Sequence, residues 1–285
     1  AWAQLDAEKA LAMAREKDTQ DCMGPLHGVP IGVKDVIDTA GMATRYGSPI
    51  YDNHVPALDA ACVASLRKAG AIIIGKTVTA EFATYHPGRT ANPLNPKHTP
   101  GGSSSGSAAA VADFQVPAAL GTQTAGSVVR PASFCGVIGF KPSKDRYRTD
   151  GVLDTSTHLD TLGFFVRCID DAKLLDAVLA EVQEADAQAK EFPVIGICRS
   201  PAWSTATAEM KDCLDQAGRR LKNQGARIQS VELAEIFSKL GAAQSLIHAR
   251  EAADFLGPIV DRNVSQASAA LIDFIRLGRS FPEAN

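Results

Sequence analysis

Two Gly- and Ser-rich stretches constrain this chain more than any other feature of its sequence. The first contains Ser103 and the second Ser127, 24 positions later. Between them, the small residues 105–112 predict a helix, and the apolar run 116–120 is suited to a core. A Gly/Ser linker is polar throughout, so this layout predicts two ordered turns instead. Hydroxyl groups beside a row of glycine-flanked backbone amides favour an acyl-transfer site.

The composition is that of a globular protein and excludes several classes of partner. Of 285 residues, 45% are hydrophobic and 21% are charged, and the net charge is −3. The sequence contains no basic stripe that would favour binding to nucleic acid. It also contains no apolar run that approaches the roughly 18 residues needed to span a bilayer. Residues 1–17 predict an acidic amphipathic helix, unlike a signal peptide. We therefore expect neither nucleic acid nor membrane as a partner.

Six cysteines occur, without a CxxC pair and without metal-ligand spacing to a histidine. In a chain of this length they are typical of reduced core residues, which indicates a cytoplasmic protein without a metal site.

Short apolar segments alternate with helical patterns along the chain. Strands are predicted at 28–38, 71–76, 193–198 and 227–233. Helices are predicted at 59–69, 170–184 and 208–223, and from residue 234 to the end. We expect Asp59 to cap its helix. We also expect Met210, Leu214, Ala217 and Leu221 to form the buried face of theirs. This order predicts an α/β fold with a mixed, largely parallel central sheet covered by helices on both faces.

The chain begins without Met and ends without a strand that would close a sheet. We expect a segment of a longer protein, with the sheet incomplete at its C-terminus.

Three motif matches are weak because their context is wrong. GAIIIGKT at 70–77 has the spacing of a phosphate-binding loop, but its middle residues predict a strand. GSSSG at 102–106 follows a proline-rich loop, whereas the nucleophile elbow of an α/β-hydrolase follows an apolar strand. SLRK at 65–68 lies in an ordinary amphipathic helix.

A hydrolase without an obvious histidine base needs another base, and Lys34 is the candidate. It lies within the apolar run VPIGVKDV, where a charge is costly. A lysine base must lose its proton, so its pKa must fall from about 10.4 to about 7 to 8, which burial can achieve. The alternative is a structural ion pair with Asp35 or Asp38, and the spacing alone does not decide between them.

Three segments resemble the amidase signature family in order and wording. They are GPLHGVPIGVKDVIDTAG, TPGGSSSGSAAAVA and GTQTAGSVVRPASFCGVIGFKPS, and the resemblance runs from about residue 24 to 165 and more loosely to the end. It implies one amidase signature domain over 1–285, with a catalytic core at 24–165 and a sheet and helical extension at 166–285. GTQTAGSVVRPASFCG and LDTLGFF are most similar to the malonamidase-type amidases of small substrates.

The resemblance implies a Ser–cis-Ser–Lys triad that needs no metal or organic cofactor. Lys34 would be the base, Ser103 the bridging serine on a cis peptide bond, and Ser127 the nucleophile. The backbone N–H groups expected to form the oxyanion hole are those of Thr124, Ala125, Gly126 and Ser127.

The chain departs from the common family pattern around the second serine. Gln123 and Ala125 replace the acid and a glycine of GSDTGGS, and Arg130 lies three residues after Ser127 rather than two. One hypothesis is that Arg130 binds a substrate carboxylate, because an Arg fork suits carboxylates. The other is that it only ties down the loop.

The function expected first is that of an amidase that releases ammonia from a small amide, with a carboxylate-bearing substrate as one option. The alternative is a glutaminase-type A subunit of a tRNA-dependent amidotransferase. An inactive scaffold and an esterase using Ser104 are the remaining hypotheses. A homodimer is left open.

Overall fold

Strands and helices alternate through the chain, as the sequence pattern predicts. The computed structural model describes residues 1–182 and 193–281. The strands are β1 (Trp2–Leu5), β2 (Pro30–Lys34), β3 (Ile72–Thr77), β4 (Ala118–Gln123), β5 (Ile138–Phe140), β6 (Thr161–Val166), β7 (Val194–Cys198) and β8 (Arg227–Val231). The α-helices are α1 (Ala7–Asp18), α2 (Ala61–Lys68), α3 (Ser105–Ala112), α4 (Val129–Cys135), α5 (Ile169–Leu179), α6 (Ala208–Asn223), α7 (Leu240–Arg262) and α8 (Ala269–Arg279). Two compact units result, one formed by Ala1–Glu184 with Leu246–Asn285 and the other by Ala185–Ser245.

The larger unit is built on a six-stranded sheet in the order β1-β3-β2-β4-β6-β5. The central strands β3, β2 and β4 are parallel, whereas β1 and β6 run antiparallel to their neighbours. Because β5 is antiparallel to β6, it runs in the direction of β4. Four of the six strands therefore share one direction, and the predicted mixed, largely parallel sheet is confirmed.

Alternate side chains of the sheet enter two different cores, because successive residues of a strand point to opposite faces. Leu120 of β4 and Phe164 of β6 pack in the core that includes α2 and α5. Their neighbours Ala119 and Phe165 pack in the core that includes α3 and α4. The expected cover of helices on both faces follows from this alternation.

The first residues of the chain form a strand and not the predicted start of a helix. Trp2 and Leu5 lie in β1, which pairs with the edge of β3. Helix α1 begins only after Asp6, whose side chain accepts a hydrogen bond from Lys9 N at 2.9 Å. Pairing satisfies backbone groups that an open edge of β3 would expose, and this gain is invisible to a local helical pattern.

Asp59 does not cap α2, so that prediction is wrong. The N-cap position is Ala60, without a side-chain hydrogen bond. The Asp59 carboxylate instead accepts from Ala40 N at 2.8 Å and lies 2.9 Å from Arg67 Nε. It joins the loop at Ala40 to α2 rather than capping the first turn of that helix.

The smaller unit contains the parallel pair β7–β8 and helix α6, at the predicted positions. The sequence pattern predicts that strand β7 and the Met210 face of α6 are buried, and this prediction is wrong. Every described residue of β7 is exposed or half-buried, and Met210 is 51% exposed. Gly218 is the buried residue of α6. Among the described residues, this unit's sheet has two strands, which offer too little surface to bury a strand or a helix face.

The cysteines also differ from expectation. All six are free, as predicted, but only Cys62 and Cys135 are buried, and the other four are exposed. A small apolar side chain gains too little from burial to be placed reliably by type alone.

Helices α7 and α8 form a third core with Phe82. Their close approach requires a glycine, since a Cβ at Gly278 would lie 1.9 Å from the carbonyl oxygen of Ala249. No helix within residues 1–182 and 193–281 is long and apolar enough to cross a membrane.

We predict that Gly163→Ala destabilises the sheet. A Cβ at Gly163 would lie 2.5 Å from the backbone oxygen of Phe140 on the neighbouring strand, and a backbone atom cannot rotate away. The free energy of unfolding in urea should fall by about 1–3 kcal/mol. Gly241→Ala in α7 is the control, because no atom lies within 4 Å of a Cβ added at Gly241. In a helix, alanine is also more favourable than glycine by up to about 1 kcal/mol. Equal stability of the two variants would contradict this account.

Candidate active site

Lys34 ends the central strand β2 and is completely buried. Its strand is flanked by β3 and β4, so both of its faces are covered and an apolar run is required there. The ammonium group donates to Ser103 Oγ at 2.8 Å and to Thr122 Oγ1 at 2.8 Å. Neither Asp35 nor Asp38 pairs with it, so among the described residues the alternative of a structural ion pair is not realised.

Burial lowers the pKa of Lys34 to about 7, because an ammonium loses its hydration inside the protein. The negative charge of Asp160 acts in the opposite direction and raises this pKa. A large fraction of Lys34 is therefore a neutral amine at neutral pH, which is the state that can accept a proton.

Ser103 lies on a cis peptide bond with Gly102, as the resemblance implies. Its side chain is buried, and its Oγ receives the hydrogen bond from Lys34. Its backbone oxygen accepts from Ala80 N at 3.1 Å. The hydroxyl is thus held between the end of β2 and the start of α3.

Ser104, the centre of the GSSSG match, is fully buried and committed to the backbone of β4. Its hydroxyl donates to Thr122 O at 3.1 Å and accepts from Thr122 N at 3.3 Å. A loop rather than a strand precedes it, so it does not occupy a nucleophile elbow.

Ser127 ends the loop 124–127, which follows β4 and leads into α4. Its residue is 8% exposed. Within the part of the chain that the structure describes, no hydrogen bond joins Ser127 to Ser103 or Lys34. The structure therefore brings Lys34 and Ser103 into direct contact, and it places Ser127 beyond the end of the strand whose Thr122 binds Lys34.

The backbone N–H groups of residues 124–127 donate no hydrogen bond to any described residue. The next two N–H groups, those of Val128 and Val129, donate to Gln123 Oε1 at 2.8 and 3.0 Å. The side chain of Gln123 thus satisfies the first amides of α4. The four N–H groups between Gln123 and these amides remain unpaired donors. Unpaired, fixed amides of this kind suit a developing oxyanion.

Arg130 bridges the two Gly- and Ser-rich loops. Its Nε and Nη2 donate to the backbone oxygen of Gly102 at 3.1 and 2.8 Å. This contact realises the expectation that Arg130 ties down the loop. No acidic side chain among the described residues pairs with its guanidinium, and Nη1 makes no hydrogen bond to them.

A cavity of about 320 Å³, a size that suits a small molecule, lies beside Ser103 and Arg130. Residues 99–102 also line it, whereas Ser127 and residues 124–126 are not among its lining residues. The aromatic rings of Tyr85 and Phe134 contribute to the rest of the wall.

A second buried lysine, Lys76, was missed by the sequence analysis. Its amine donates to Thr44 Oγ1 at 2.8 Å and to the backbone of Ile37, and it lies 3.9 Å from Asp35 Oδ1. Burial lowers the pKa of Lys76 to about 8 and raises that of Asp35 to about 6. The sequence did carry the signal, because Lys76 follows an apolar run much as Lys34 does. In β3 it holds the loop that follows β2.

Thr122, Gln123 and Asp160 were also not predicted as site residues. The sequence marks Gln123 only as a departure from the common family pattern, and Asp160 only as part of LDTLGFF. Among the described residues, no group of three or more His, Cys, Asp or Glu side chains is arranged to hold a metal ion.

Comparison with known proteins identifies the family of this chain. A family model described as Amidase matches residues 1–273. This chain belongs to the amidase signature family. The A subunit of glutamyl-tRNA(Gln) amidotransferase from Roseiflexus sp. (strain RS-1) is 37% identical over 257 residues, which are 82% of this chain and 53% of that protein. Mandelamide hydrolase of Pseudomonas putida is 34% identical over 298 residues, covering 99% of this chain and 58% of the hydrolase.

Solved structures of amidases share the fold of this family member. One amidase crystal structure superposes with a TM-score of 0.90 at 31% identity, covering 99% of this chain and 66% of that one. The native peptide amidase from Stenotrophomonas maltophilia gives 0.78 at 30% identity, covering 98% and 64%. The chain thus spans about half the length of the curated relatives it matches and about two thirds of these structures.

We predict that Lys34 titrates near pH 7. Because burial disfavours its ammonium form, the ¹³Cε NMR signal of Lys34 should have a midpoint near pH 7, and that of Lys76 near pH 8. An ordinary lysine titrates at about 10.4. Lys34→Met and Lys76→Met assign the two signals. A midpoint above about pH 10, the ordinary range of a lysine, would contradict the role of Lys34 as a base.

Proposed function

We propose that this protein is an amidase that hydrolyses the C–N bond of a small amide through an acyl-enzyme on Ser127. The contact of 2.8 Å between Lys34 Nζ and Ser103 Oγ carries the proposal. A buried amine with a pKa of about 7 can draw a proton through the buried hydroxyl of Ser103.

The reaction begins when Ser127 Oγ attacks the amide carbonyl carbon. Its proton passes to Ser103, and the Ser103 proton passes to neutral Lys34. The carbonyl oxygen becomes an oxyanion that the unpaired amides of 124–127 stabilise. Removal of one such donor typically costs about 3 kcal/mol of transition-state stabilisation.

The ammonium of Lys34 then returns a proton through Ser103 to the leaving nitrogen. The C–N bond breaks, ammonia departs, and the acyl group remains as an ester of Ser127. Water attacks this ester by the same relay, which releases the carboxylic acid and restores the serine. Ser127 and Ser103 must approach each other for the first step, and catalytic hydrogen bonds often tighten only when substrate binds.

The substrate we favour is a small amide that also bears a carboxylate. Arg130 lines the cavity beside Ser103 and has no acidic partner among the described residues. Two of its nitrogens hold Gly102, and Nη1 is left to donate to a bound anion. The same residue can therefore tie down the loop and attract an acidic substrate.

A second candidate is the A subunit of a tRNA-dependent amidotransferase. It is favoured by the 37% identity to a protein that bears this name. A purified protein that hydrolyses glutamine only with a partner protein and ATP would support it. Hydrolysis of a carboxylate-bearing amide by the protein alone would support the amidase. The free cysteines fit the cytoplasmic location that we infer for either one.

Ser127→Ala should abolish turnover of amides. The variant lacks the attacking hydroxyl, so kcat should fall on the order of 10⁴-fold or more. Mass spectrometry of the protein quenched during turnover should show the acyl adduct on wild type and none on the variant. Ser104→Ala is the matched control from the first loop, and it should still form the adduct. Loss of the adduct in Ser104→Ala alone would instead support the esterase hypothesis.

Arg130→Ala should raise KM for carboxylate-bearing amides about 10- to 100-fold more than for neutral amides of equal size, because a hydrogen bond to a charged group contributes about 1.5–3 kcal/mol. The loss of its contact with Gly102 affects both substrates, so the ratio of the two KM values isolates the carboxylate contact. An unchanged ratio would leave Arg130 as a loop anchor alone.

A further inference from the structure

Asp160 lies immediately before β6, at the end of the sheet where β4 delivers the loop 124–127. Its carboxylate accepts hydrogen bonds from three residues on two loops. Oδ1 accepts from Thr124 Oγ1 at 2.5 Å, and Oδ2 accepts from the backbone N–H groups of Thr155 and Ser156 at 2.7 and 2.9 Å. The side chain therefore clamps the first residue of the amide row to the turn at 155–156.

That turn is itself held by helix α7. Ser156 Oγ donates to Glu251 Oε2, and the His158 ring pairs with the other oxygen of the same carboxylate. Thr155 Oγ1 adds a contact to Asp160 at 3.0 Å. Hydrogen bonds thus run from α7 through the turn and Asp160 to Thr124.

The amide row is fixed at both ends by side chains. After the row, Gln123 Oε1 accepts from the N–H groups of Val128 and Val129. At the start of the row, Asp160 binds the hydroxyl of Thr124. The four unpaired N–H groups lie between these two anchors. Amides contribute to an oxyanion hole only when they are fixed before the charge develops.

Asp160 is also the charged side chain that acts on Lys34 among the described residues. The other ionisable groups of the neighbouring strands, Asp35 and Lys76, lie on the opposite face. Lys76 pairs in register with Val33, whose side chain points away from that of Lys34, and Asp35 follows Lys34 by one residue. On the side of α7, His248 and Glu251 lie near Asp160 and the turn. Within the turn, Asp154 lies beside Asp160, and burial together with the charge of Asp160 raises the pKa of Asp154.

We propose that Asp160 is a positioning residue of this site, which fixes the oxyanion loop through Thr124 and sets the charge that faces Lys34. The inference rests on the amidase proposed above. Asp160 does not touch the reacting atoms in this account. It acts through Thr124 on the amides and through its field on the base.

The two actions have separable consequences. The Asp160 charge favours the ammonium of Lys34, so its removal should lower the pKa of that amine. Loss of the hydrogen bond to Thr124 should instead weaken oxyanion stabilisation at every pH. A purely structural role would affect folding and leave the pH dependence unchanged.

A fluorophosphonate probe tests both consequences without knowledge of the natural substrate. Ser127 Oγ attacks its phosphorus, the P–F bond breaks, fluoride leaves, and the serine proton passes through Ser103 to Lys34. The rate of labelling should rise with pH through about 7 in wild type, as neutral Lys34 accumulates.

In Asp160→Asn, we expect the midpoint of this rise to move down by about 1 pH unit and the plateau rate to fall about 10-fold or more. Thr124→Val removes only the hydrogen bond, so the plateau should fall while the midpoint stays in place. Thr124→Ser retains the hydroxyl and should restore the plateau rate that Thr124→Val loses. Asp150→Asn removes an exposed acid that pairs with Arg148 and not with Asp160, and it should change neither quantity.

The outcomes distinguish this inference from the amidase proposal. Labelling of Ser127→Ala at the wild-type rate would overturn the amidase mechanism itself. Labelling of Ser127 with wild-type rate and midpoint in Asp160→Asn would overturn the role of Asp160 and leave the amidase mechanism intact. If Asp160→Asn fails to fold, Thr124→Val and Thr124→Ser decide the matter, since equal plateau rates in both would overturn the positioning role.

Discussion

The burial of one lysine amine at the centre of a sheet is the constraint on which the rest of the site depends. Lys34 is shielded from solvent, and its hydrogen bonds go to Ser103 and Thr122. An unpaired ammonium in such a place would cost several kcal/mol, so both partners must be held at hydrogen-bonding distance. The loop before α3 and the end of β4 supply them.

The same arrangement gives the amine its chemistry. Burial that makes the ammonium unstable also brings its pKa to about 7, which suits a base at neutral pH. Lys76 shows that burial alone is not sufficient. It is equally inaccessible, but its amine contacts Thr39, Thr44 and a backbone oxygen, with Asp35 nearby. Its contacts stabilise a loop, whereas those of Lys34 lead to a serine beside a cavity.

Hydrogen-bond pairing also decides which backbone amides near the loop 124–127 are available to a ligand. Most backbone amides of a folded chain find a partner, and here Gln123 satisfies those of Val128 and Val129. The four preceding amides have no partner among the described residues and so can donate to a ligand. Arg130, in the helix that follows this loop, donates to Gly102 beside Ser103 and so links the two serine-bearing segments.

The sequence by itself determined the α/β class and most element positions, because apolar periodicity is a local signal. It also determined the pairing of Lys34 with Ser103, because the motifs that resemble the amidase signature family are short segments of sequence. It did not determine that residues 2–5 pair with β3, that Asp59 binds Ala40, or that Met210 remains exposed. It also did not reveal Asp160, which lies 36 positions from the Thr124 hydroxyl it binds. Only the tertiary structure decided these points, since strand pairing, burial and long-range hydrogen bonds depend on segments that meet only after the chain has folded.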